Sequence, residues 1–390
     1  MIQDHFDMES WERVAFGKVV QNKNENTSNP SLEGLSRVVG LDHMDSESLP
    51  LVRWSELDDL PDGTTFTRRF HAGQVLFGKR RSYQKKVSFP DFDGVCSGDI
   101  LVFQSLDSKR LLPGFLPLLV QSDPFMDFAI STSAGSLSPR TKWSDLSKFE
   151  FLLPSLKNQE EIVEIIRSID QTIIAYQDLS LSAYRQSIMH EFLSDGGGDW
   201  TETTLGDIAK WGSGGTPKSD NQMYYNGDIP WCVIGDLTEG EVFVTEKSIS
   251  QEGLLNSSAK MIEPGAVMIA MYGASIGRTG IAAVPMATNQ AIAYAYVHEA
   301  KAVNLFLLYY LQFQKEKFID AGQGAAQPNI SQTVLKNWPI LLPSIKDQNR
   351  IAAIISSVDV VIQSADQAVA DAKALRKSIL GQVVGKHSRV

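Results

Sequence analysis

Apolar residues recur at alternating intervals of four and three near the end of the chain. Ile351, Ile355, Val358, Ile362, Ala365, Val369, Ala372, Ile379 and Val383 keep this spacing, and Arg376 breaks it. The spacing also occurs at Ile162, Ile166, Ile169, Ile173 and Tyr176, then weakens through Ser180, Ala183 and Ser187. A 4-3 period marks helices that pack along a seam. It predicts two long helices, each of about 38 residues and roughly 57 Å at the α-helical rise. They are expected to pair through Ile162, Ile166, Ile169 and Ile173 against Ile351, Ile355, Val358 and Ile362. Each helix is entered through Leu-Pro-Ser, at Leu153 and Leu342, where proline is tolerated. Asn158 and Asp347 are the expected N-caps, and Asn158 has capping-box spacing to Glu161.

The remaining sequence has a different pattern. Val75–Gly78, Asp99–Phe103, Val267–Met271 and Ile292–Val297 are short, β-branched or aromatic, and bounded by turn residues, which predicts strands. Phe306–Phe318 has helical spacing. The longest apolar runs, Leu111–Val120 and Leu305–Leu311, fall short of the roughly 20 residues of a membrane span.

The two helical stretches are copies. Pro154, Ser155, Lys157, Gln159, Ile162, Ile166 and Asp170 match Pro343, Ser344, Lys346, Gln348, Ile351, Ile355 and Asp359, each pair 189 apart. Trp11, Phe16 and Gly17 match Trp200, Leu205 and Gly206 at the same offset, and Gly135, Pro139 and Leu146 match Gly324, Pro328 and Leu335. The interiors diverge and need small gaps. An offset this long is a whole-unit duplication, since solenoid repeats run about 20–50 residues. The copies differ in one measure: Asp170 and Arg185 are 15 apart, Asp359 and Arg376 are 17 apart. The predicted class is α+β. It comprises a mixed α/β domain at 1–153, a long helix at 154–197, a second domain at 198–342 and a C-terminal helix at 343–390. The two helices can pair with each other as a coiled coil, and the alternative is two unrelated surface helices on their own domains.

Charge modifies this picture locally. The chain carries a net −10, which argues against indiscriminate coating of nucleic acid. Yet Gly63–Pro90 holds seven basic residues and no acid: Arg68, Arg69, Lys79, Arg80, Arg81, Lys85 and Lys86. Screening beyond about 8–10 Å lets such a cluster bind phosphates on an acidic background. Tyr83 and Gln84 sit among them, and the alternative is a solvated basic face. The second copy offers polar and aromatic candidates instead: Lys218, Tyr224, Tyr225, Trp231, Tyr272, Ser275, Arg278, Asn289, Gln290, Gln327 and Asn329. Asn and Gln suit adenine edges and Arg suits guanine. Tyr224 and Trp231 read equally well as packing.

Catalytic patterns are near-misses. Gly273–Thr279 lacks the lysine of a phosphate loop, Pro90-Asp91 with Asp99 lacks the lysine of a nuclease site, and Ser122–Phe125 lacks the second proline of an amino-methyltransferase motif. Cys96 and Cys232 have no metal-ligand spacing, and disulfide use is not expected. No catalytic residue and no metal site is assigned. The acidic start lacks a signal pattern, so a cytoplasmic location is expected.

Taken together, the duplicated Trp-x4-[Phe/Leu]-Gly openings, Gly214–Pro217, Asp228–Trp231, Tyr272–Gly280, Ala326–Ser331 and the repeated Leu-Pro-Ser-[Leu/Ile]-Lys-x-Gln resemble one family. It is the specificity subunit (HsdS) of type I restriction–modification systems. The resemblance implies two target-recognition domains that each bind half of a split sequence in double-stranded DNA, with long helices that pair as an antiparallel coiled coil about a pseudo-two-fold and fix the gap. It implies two modification subunits that use S-adenosylmethionine to methylate adenine. It also implies restriction subunits driven by ATP and Mg. This chain would bind no cofactor and have no membrane partner. The competing readings are an adaptor with two protein-binding domains and an enzyme in its own right.

Overall fold

The structure, a computed structural model, describes residues 6–60, 63–178, 181–194, 200–322 and 329–385. The chain forms two compact units, residues 1–179 with 366–390, and residues 180–365.

The first unit contains β1 (Glu12–Ala15), β2 (Val20–Lys23), β3 (Arg37–Val39), β4 (Ser55–Glu56), β5 (Arg68–Phe70), β6 (Val75–Gly78), β7 (Val87–Ser88), β8 (Gly94–Cys96), β9 (Ile100–Ser105) and β10 (Glu150–Leu153). Its helices include α1 (Leu116–Gln121), α2 (Asp123–Ser131) and α3 (Leu156–Asp178). An antiparallel sheet runs β2-β9-β6-β7. A second runs β4-β3-β8-β5, with β3 and β8 parallel. Between the first sheet and the helices lies an aromatic core in which the Phe16 ring is 5.4 Å from Phe103 and 4.9 Å from Phe125.

The second unit begins with α4 (Leu181–Leu193). Its strands are β11 (Thr201–Thr204), β12 (Ala209–Ser213), β13 (Tyr225–Cys232), β14 (Glu241–Val242), β15 (Ser248–Ile249), β16 (Met261–Ile262), β17 (Val267–Ala270), β18 (Thr279–Ala282), β19 (Met286–Thr288), β20 (Ile292–Val297) and β21 (Pro339–Leu342). α5 (Asn304–Phe313) packs in its core, and α6 (Ile345–Gly385) contributes its first half here and its second half to the other unit. The sheet orders are β12-β20-β17-β18-β14 and β15-β13-β19-β16, with β13 and β19 parallel. Thus the interiors, where the sequence copies diverge, share one strand order apart from β14, which the second unit adds at a sheet edge. Phe77 faces Leu101 in the first unit as Ile269 faces Ala293 in the second. Short strands require only buried apolar positions in the right register, so their residues drift while their pairing persists.

The repeated openings have a steric cause. β1 pairs with β10 and β11 with β21 in the same register, Glu12 opposite Leu153 and Thr201 opposite Leu342. A Cβ on Gly17 would lie 2.8 Å from Ser147 Cβ, and one on Gly206 2.9 Å from the Lys336 carbonyl. Only glycine fits where these turns cross the end of their own domain.

The repeated helix entry has a hydrogen-bonding cause. Gln159 and Gln348 are fully buried. Gln159 Nε2 donates to the carbonyls of Arg110 and Pro154, both at 2.8 Å, and Oε1 accepts from the Leu112 N–H at 2.8 Å. Gln348 repeats this with Lys301 at 2.8 Å, Pro343 at 3.0 Å and the Val303 N–H at 2.9 Å. Each amide joins the first turn of its helix to the loop ahead of α1 or α5. The helix caps lie one turn earlier than expected. Ser155 Oγ accepts from the Asn158 N–H at 3.3 Å and Ser344 Oγ from the Asp347 N–H at 3.2 Å. Asn158 and Asp347 therefore occupy the third helical position, because the short serine hydroxyl after proline already satisfies that orphan donor.

The first tail is described as α3 and α4, with residues 179 and 180 outside the described residues. One other expectation changes. The predicted helix Phe306–Phe318 ends at Phe313, and a second one, Lys315–Gly322, returns Phe318 to the core. The helix isoleucines serve their own domains as well as a seam. Ile162 and Ile166 are buried with Phe115 and Phe151, and also with Ile379, Leu380, Val383 and Val384 from the end of α6. Ile351 and Ile355 are buried with Leu307 and Leu311, and with Met189 and Leu193 of α4. Ile173 is buried, while Ile169, Val358 and Ile362 are half-buried. In each unit residue numbers fall along one helix as they rise along its partner, so the pairing is antiparallel.

Among the described residues no helix is long and apolar enough to cross a membrane. Replacing Gln348 with Ala would strand a buried N–H and two carbonyls. A buried unsatisfied group costs about 1–3 kcal/mol. The expected result is a lower urea midpoint at unchanged m value, with Gln159→Ala behaving alike.

Candidate nucleic-acid interface

Strand register brings the candidate residues together. In the first unit Lys23 faces Val102 and Gly78 faces Ile100, so the chain leaving β2, leaving β6 and entering β9 meets at one end of the sheet. In the second unit Ser213 faces Ala293 and Ala270 faces Ile292, which gathers the ends of β12 and β17 and the start of β20. The basic loop after β6 and the Tyr272–Arg278 turn after β17 thus hold the same place in the fold. A strap from farther along the chain joins each: Arg80 bridges to Arg140, and Tyr272 to Asn329.

The seven basic side chains of the first unit have different surroundings. Arg68 and Arg69 lie on β5. Arg68 donates to the Ile100 carbonyl at 2.8 Å and to Asn24 at 2.9 Å, and Arg69 pairs with Glu33 at 2.9 Å. Lys86 donates to the Leu41 carbonyl at 2.6 Å, and Lys85 pairs with Asp123 at 2.7 Å. These four are committed to the domain's own structure. Arg80 reaches Ser138 at 3.2 Å and Asp99 at 3.4 Å, and Arg140 reaches Asp99 at 2.9 Å. Burial pushes the Lys79 ammonium down, and Arg68 and Arg140 add to this against the opposing charge of Asp99. Arg81 and Lys85 have left-handed backbone, with φ of 54° and 49°. They bracket the turn that leaves Arg81 and Tyr83 exposed, with Gln84 half-buried. The residues facing the sheet end are therefore Lys79, Arg80, Arg81, Tyr83 and Arg140.

In the second unit, Gly214 and Gly215 let the chain after β12 lie against the Thr288 and Ser258 backbones, where a Cβ would collide. Tyr225 donates its hydroxyl to the Pro217 carbonyl at 2.6 Å, and the buried Trp231 donates its indole N–H to the Gly215 carbonyl at 3.1 Å. These aromatics shape the loop from beneath, and Tyr224 is half-buried beside them. Above them Thr216 hydrogen-bonds Gln290, Lys218 is exposed, and Asn289 Oδ1 accepts from the Ala291 N–H at 3.1 Å. Tyr272 and Asn329 are exposed, and Ser275 and Arg278 are half-buried in a turn closed by the Arg278 N–H to the Ser275 carbonyl at 3.0 Å. Gln327 lies outside the described residues.

Arg140 joins the site without having been singled out in sequence, while Asp99 stood out only in a nuclease near-miss and Thr216 only within Gly214–Pro217. Arg140 was legible: the aligned Pro139 and Pro328 set it against Asn329. Both cysteines are buried, and desolvation pushes their thiols up to about 12. Among the described residues no His, Cys, Asp and Glu cluster could hold a metal.

A model of the type I restriction modification DNA specificity domain matches residues 42–180 and again residues 197–368. The chain belongs to this family. It is 25% identical over 311 residues to the EcoR124I/EcoR124II specificity subunit of Escherichia coli, covering 74% of this chain and 73% of that one. It is 28% identical over 172 residues to the MjaIX specificity subunit of Methanocaldococcus jannaschii, covering 43% and 39%. Among solved structures, a chain from a type I restriction–modification system superposes with a TM-score of 0.65 at 22% identity, covering 96% and 97%. The S subunit from M. genitalium gives 0.61 at 15%, covering 97% and 96%. As a specificity subunit, this HsdS chain recognises DNA sequence through two target-recognition domains.

Several carboxylates of the first unit are held below their ordinary range. Hydrogen bonds from Lys23 and His71 do this for Glu25, and the Ala72 N–H with His71 for Asp93. Burial pushes Asp99 and Asp123 up, but Arg140 and Arg80 outweigh it at Asp99, and Lys85 and Lys377 at Asp123. A depressed carboxylate stabilises the fold above its unfolded value, and this is lost as pH falls through the folded one. Amide protection across 68–105 should therefore drop below about pH 4, read by pulsed hydrogen exchange, and Asp99→Asn should flatten that dependence.

Proposed function

We propose that the two equivalent sheet ends are the reading surfaces, one half-site to each domain. The observation that carries this is the shared strap: Arg80 with Arg140 and Tyr272 with Asn329 occupy one position of a common scaffold with different chemistry. Guanidinium groups suit guanine edges and phosphates, whereas Asn329, Asn289 and Gln290 suit adenine. Asp99 holds two guanidinium groups in place and offsets part of their charge, which favours directed contacts over general attraction to phosphate. Two unlike surfaces on one scaffold fit a split, asymmetric target.

The helices are the docking surface for modification subunits and set the gap between half-sites. Ile174, Tyr176 and Tyr184 on the first tail, and Val360, Val361 and Leu375 on α6, are large apolar side chains left exposed on helix faces. The partners supply the chemistry, with S-adenosylmethionine for adenine methylation and ATP with Mg for translocation and cleavage. The assembly works in the cytoplasm on double-stranded DNA.

Methylation mapping of the assembled complex tests the reading surfaces. Arg80→Ala with Arg140→Ala should relax one half-site or lower the salt slope of binding by about one for each phosphate no longer neutralised. Removing a bidentate pairing to a base costs about 1–3 kcal/mol of discrimination. Tyr272→Ala with Asn329→Ala should affect the other half-site. Unchanged motif and affinity in both variants would remove the sheet ends from the interface. Separately, Val360→Glu with Val361→Glu should abolish co-purification of modification subunits while thermal unfolding stays unchanged.

A further inference from the structure

Four charged residues on the helices are paired crosswise. In the first unit Arg376 of α6 donates Nε to Asp170 of α3 at 2.7 Å and Nη2 to Gln121, at the end of α1, at 2.7 Å. In the second unit Arg185 of α4 donates Nε to Asp359 of α6 and Nη2 to Gln312, near the end of α5, at 2.7 Å. The arginine side chains are only 15% and 14% exposed. Each triad joins three elements: both paired helix segments and the domain beneath them. Asp170 and Asp359 are counterparts in the sequence repeat, and so are Arg185 and Arg376, apart from a shift of two residues. Gln121 and Gln312 end corresponding helices of the two domains.

The placement is what makes this more than an ion pair. Arg376 interrupts the apolar spacing of its helix. A polar residue in a helix seam specifies register at a cost in stability. The guanidinium is a rigid planar fork, and here two of its nitrogens are spent on partners from different elements. Sliding one helix past the other by a single residue turns the side chain by about 100° and separates the fork from both. A slip of three, four or seven residues keeps apolar faces together, so packing alone leaves it open. The triads close it off. The second is the better satisfied, since Gln312 Nε2 also donates to the Glu239 carbonyl at 2.7 Å, whereas Gln121 Nε2 is buried with no partner among the described residues. Tyr309 adds a hydroxyl to Asp359 at 2.9 Å.

We propose that the Asp170–Arg376–Gln121 and Asp359–Arg185–Gln312 triads are register locks that make the gap between half-sites single-valued. This rests on the reading that the helices set that gap. Arg185 and Arg376 are then positioning residues, which act on specificity without touching DNA. A slip of three to seven residues moves a helix by roughly 4.5–10.5 Å, about one to three base pairs of duplex.

The test is methylation mapping of the complex on a library of targets with fixed half-sites and varied gaps. The variants are Arg185→Met, Arg376→Met, the double variant, and Gln312→Leu as a milder lesion. The wild type should show one gap. The methionine variants should keep both half-sites but gain at least tenfold methylation at gaps one to three base pairs away, most in the double variant. Arg185→Lys with Arg376→Lys, which keeps charge and loses the fork, should fall between. A single unchanged gap in every folded variant overturns the locks, and so does a changed half-site, because the triads would then shape the domains. If the double variant does not fold, the single variants decide by the same criteria. A wild type with no two-part motif would instead overturn the reading of the helices as spacers.

Discussion

The buried amide at each helix entry is the constraint from which the other features follow. A helix can set a distance only if its end is fixed to what it positions. Gln159 and Gln348 meet that need with three hydrogen bonds each, made at full burial, to a backbone loop that is itself held beneath α1 or α5. A shorter side chain would not span from the helix to that loop. An apolar one would leave two carbonyls and an N–H without that partner. The Leu-Pro-Ser that precedes each glutamine fits the same purpose. Proline ends the strand, serine caps the helix, and the amide follows one turn later on the face toward the domain.

The isoleucines after this joint show how one apolar stripe serves two roles. Ile162 and Ile166 complete the core of their own domain, as do Ile351 and Ile355, and both pairs also face a helix segment from elsewhere in the chain. Farther along, the seam is less buried and its polar members carry the specificity. Hydrophobic contact favours association without choosing among registers, because every apolar face resembles the next. Arginine held between a carboxylate and an amide has one geometry that satisfies it.

Much of this is legible in sequence, and the limits have physical reasons. The 189-residue repeat, the glycine at each opening and the apolar period are local patterns with one structural solution each. β6 and β17 are readable because their residues are all buried and bounded by turns. The N-caps fall a turn earlier than Asn158 and Asp347 suggest, because a serine that comes first in the chain takes the cap before a stronger capping residue can. The basic loop reads as a single surface. Its four inward members are hidden because Glu33, Asp123 and the carbonyls that engage them are distant in sequence. Trp231 and Tyr225 cannot be separated from contact residues, since an aromatic beneath a loop and one upon it have the same composition. The shared sheet order of the two interiors is hidden for a different reason. Pairing register depends on burial, and burial tolerates many sequences.

That tolerance bears on how such a chain changes its target. The parts that repeat with recognisable sequence are joints: a glycine where backbones touch, a glutamine with three partners, a carboxylate opposite a guanidinium. Each has a narrow set of workable residues. The parts that diverge are the turns at the sheet ends, where Arg80 and Arg140 in one domain stand where Tyr272 and Asn329 stand in the other. Arg80 and Arg140 are held by neighbours at the same sheet end, Asp99 and Ser138, and not by the helix entry. The proposed reading surface can therefore be replaced with its immediate supports while the joint beneath it is untouched. The converse does not hold, since a change at Gln348 acts on a whole domain whatever its turns recognise. The likeness of the two copies at the joints and their divergence at the sheet ends both follow from this bonding.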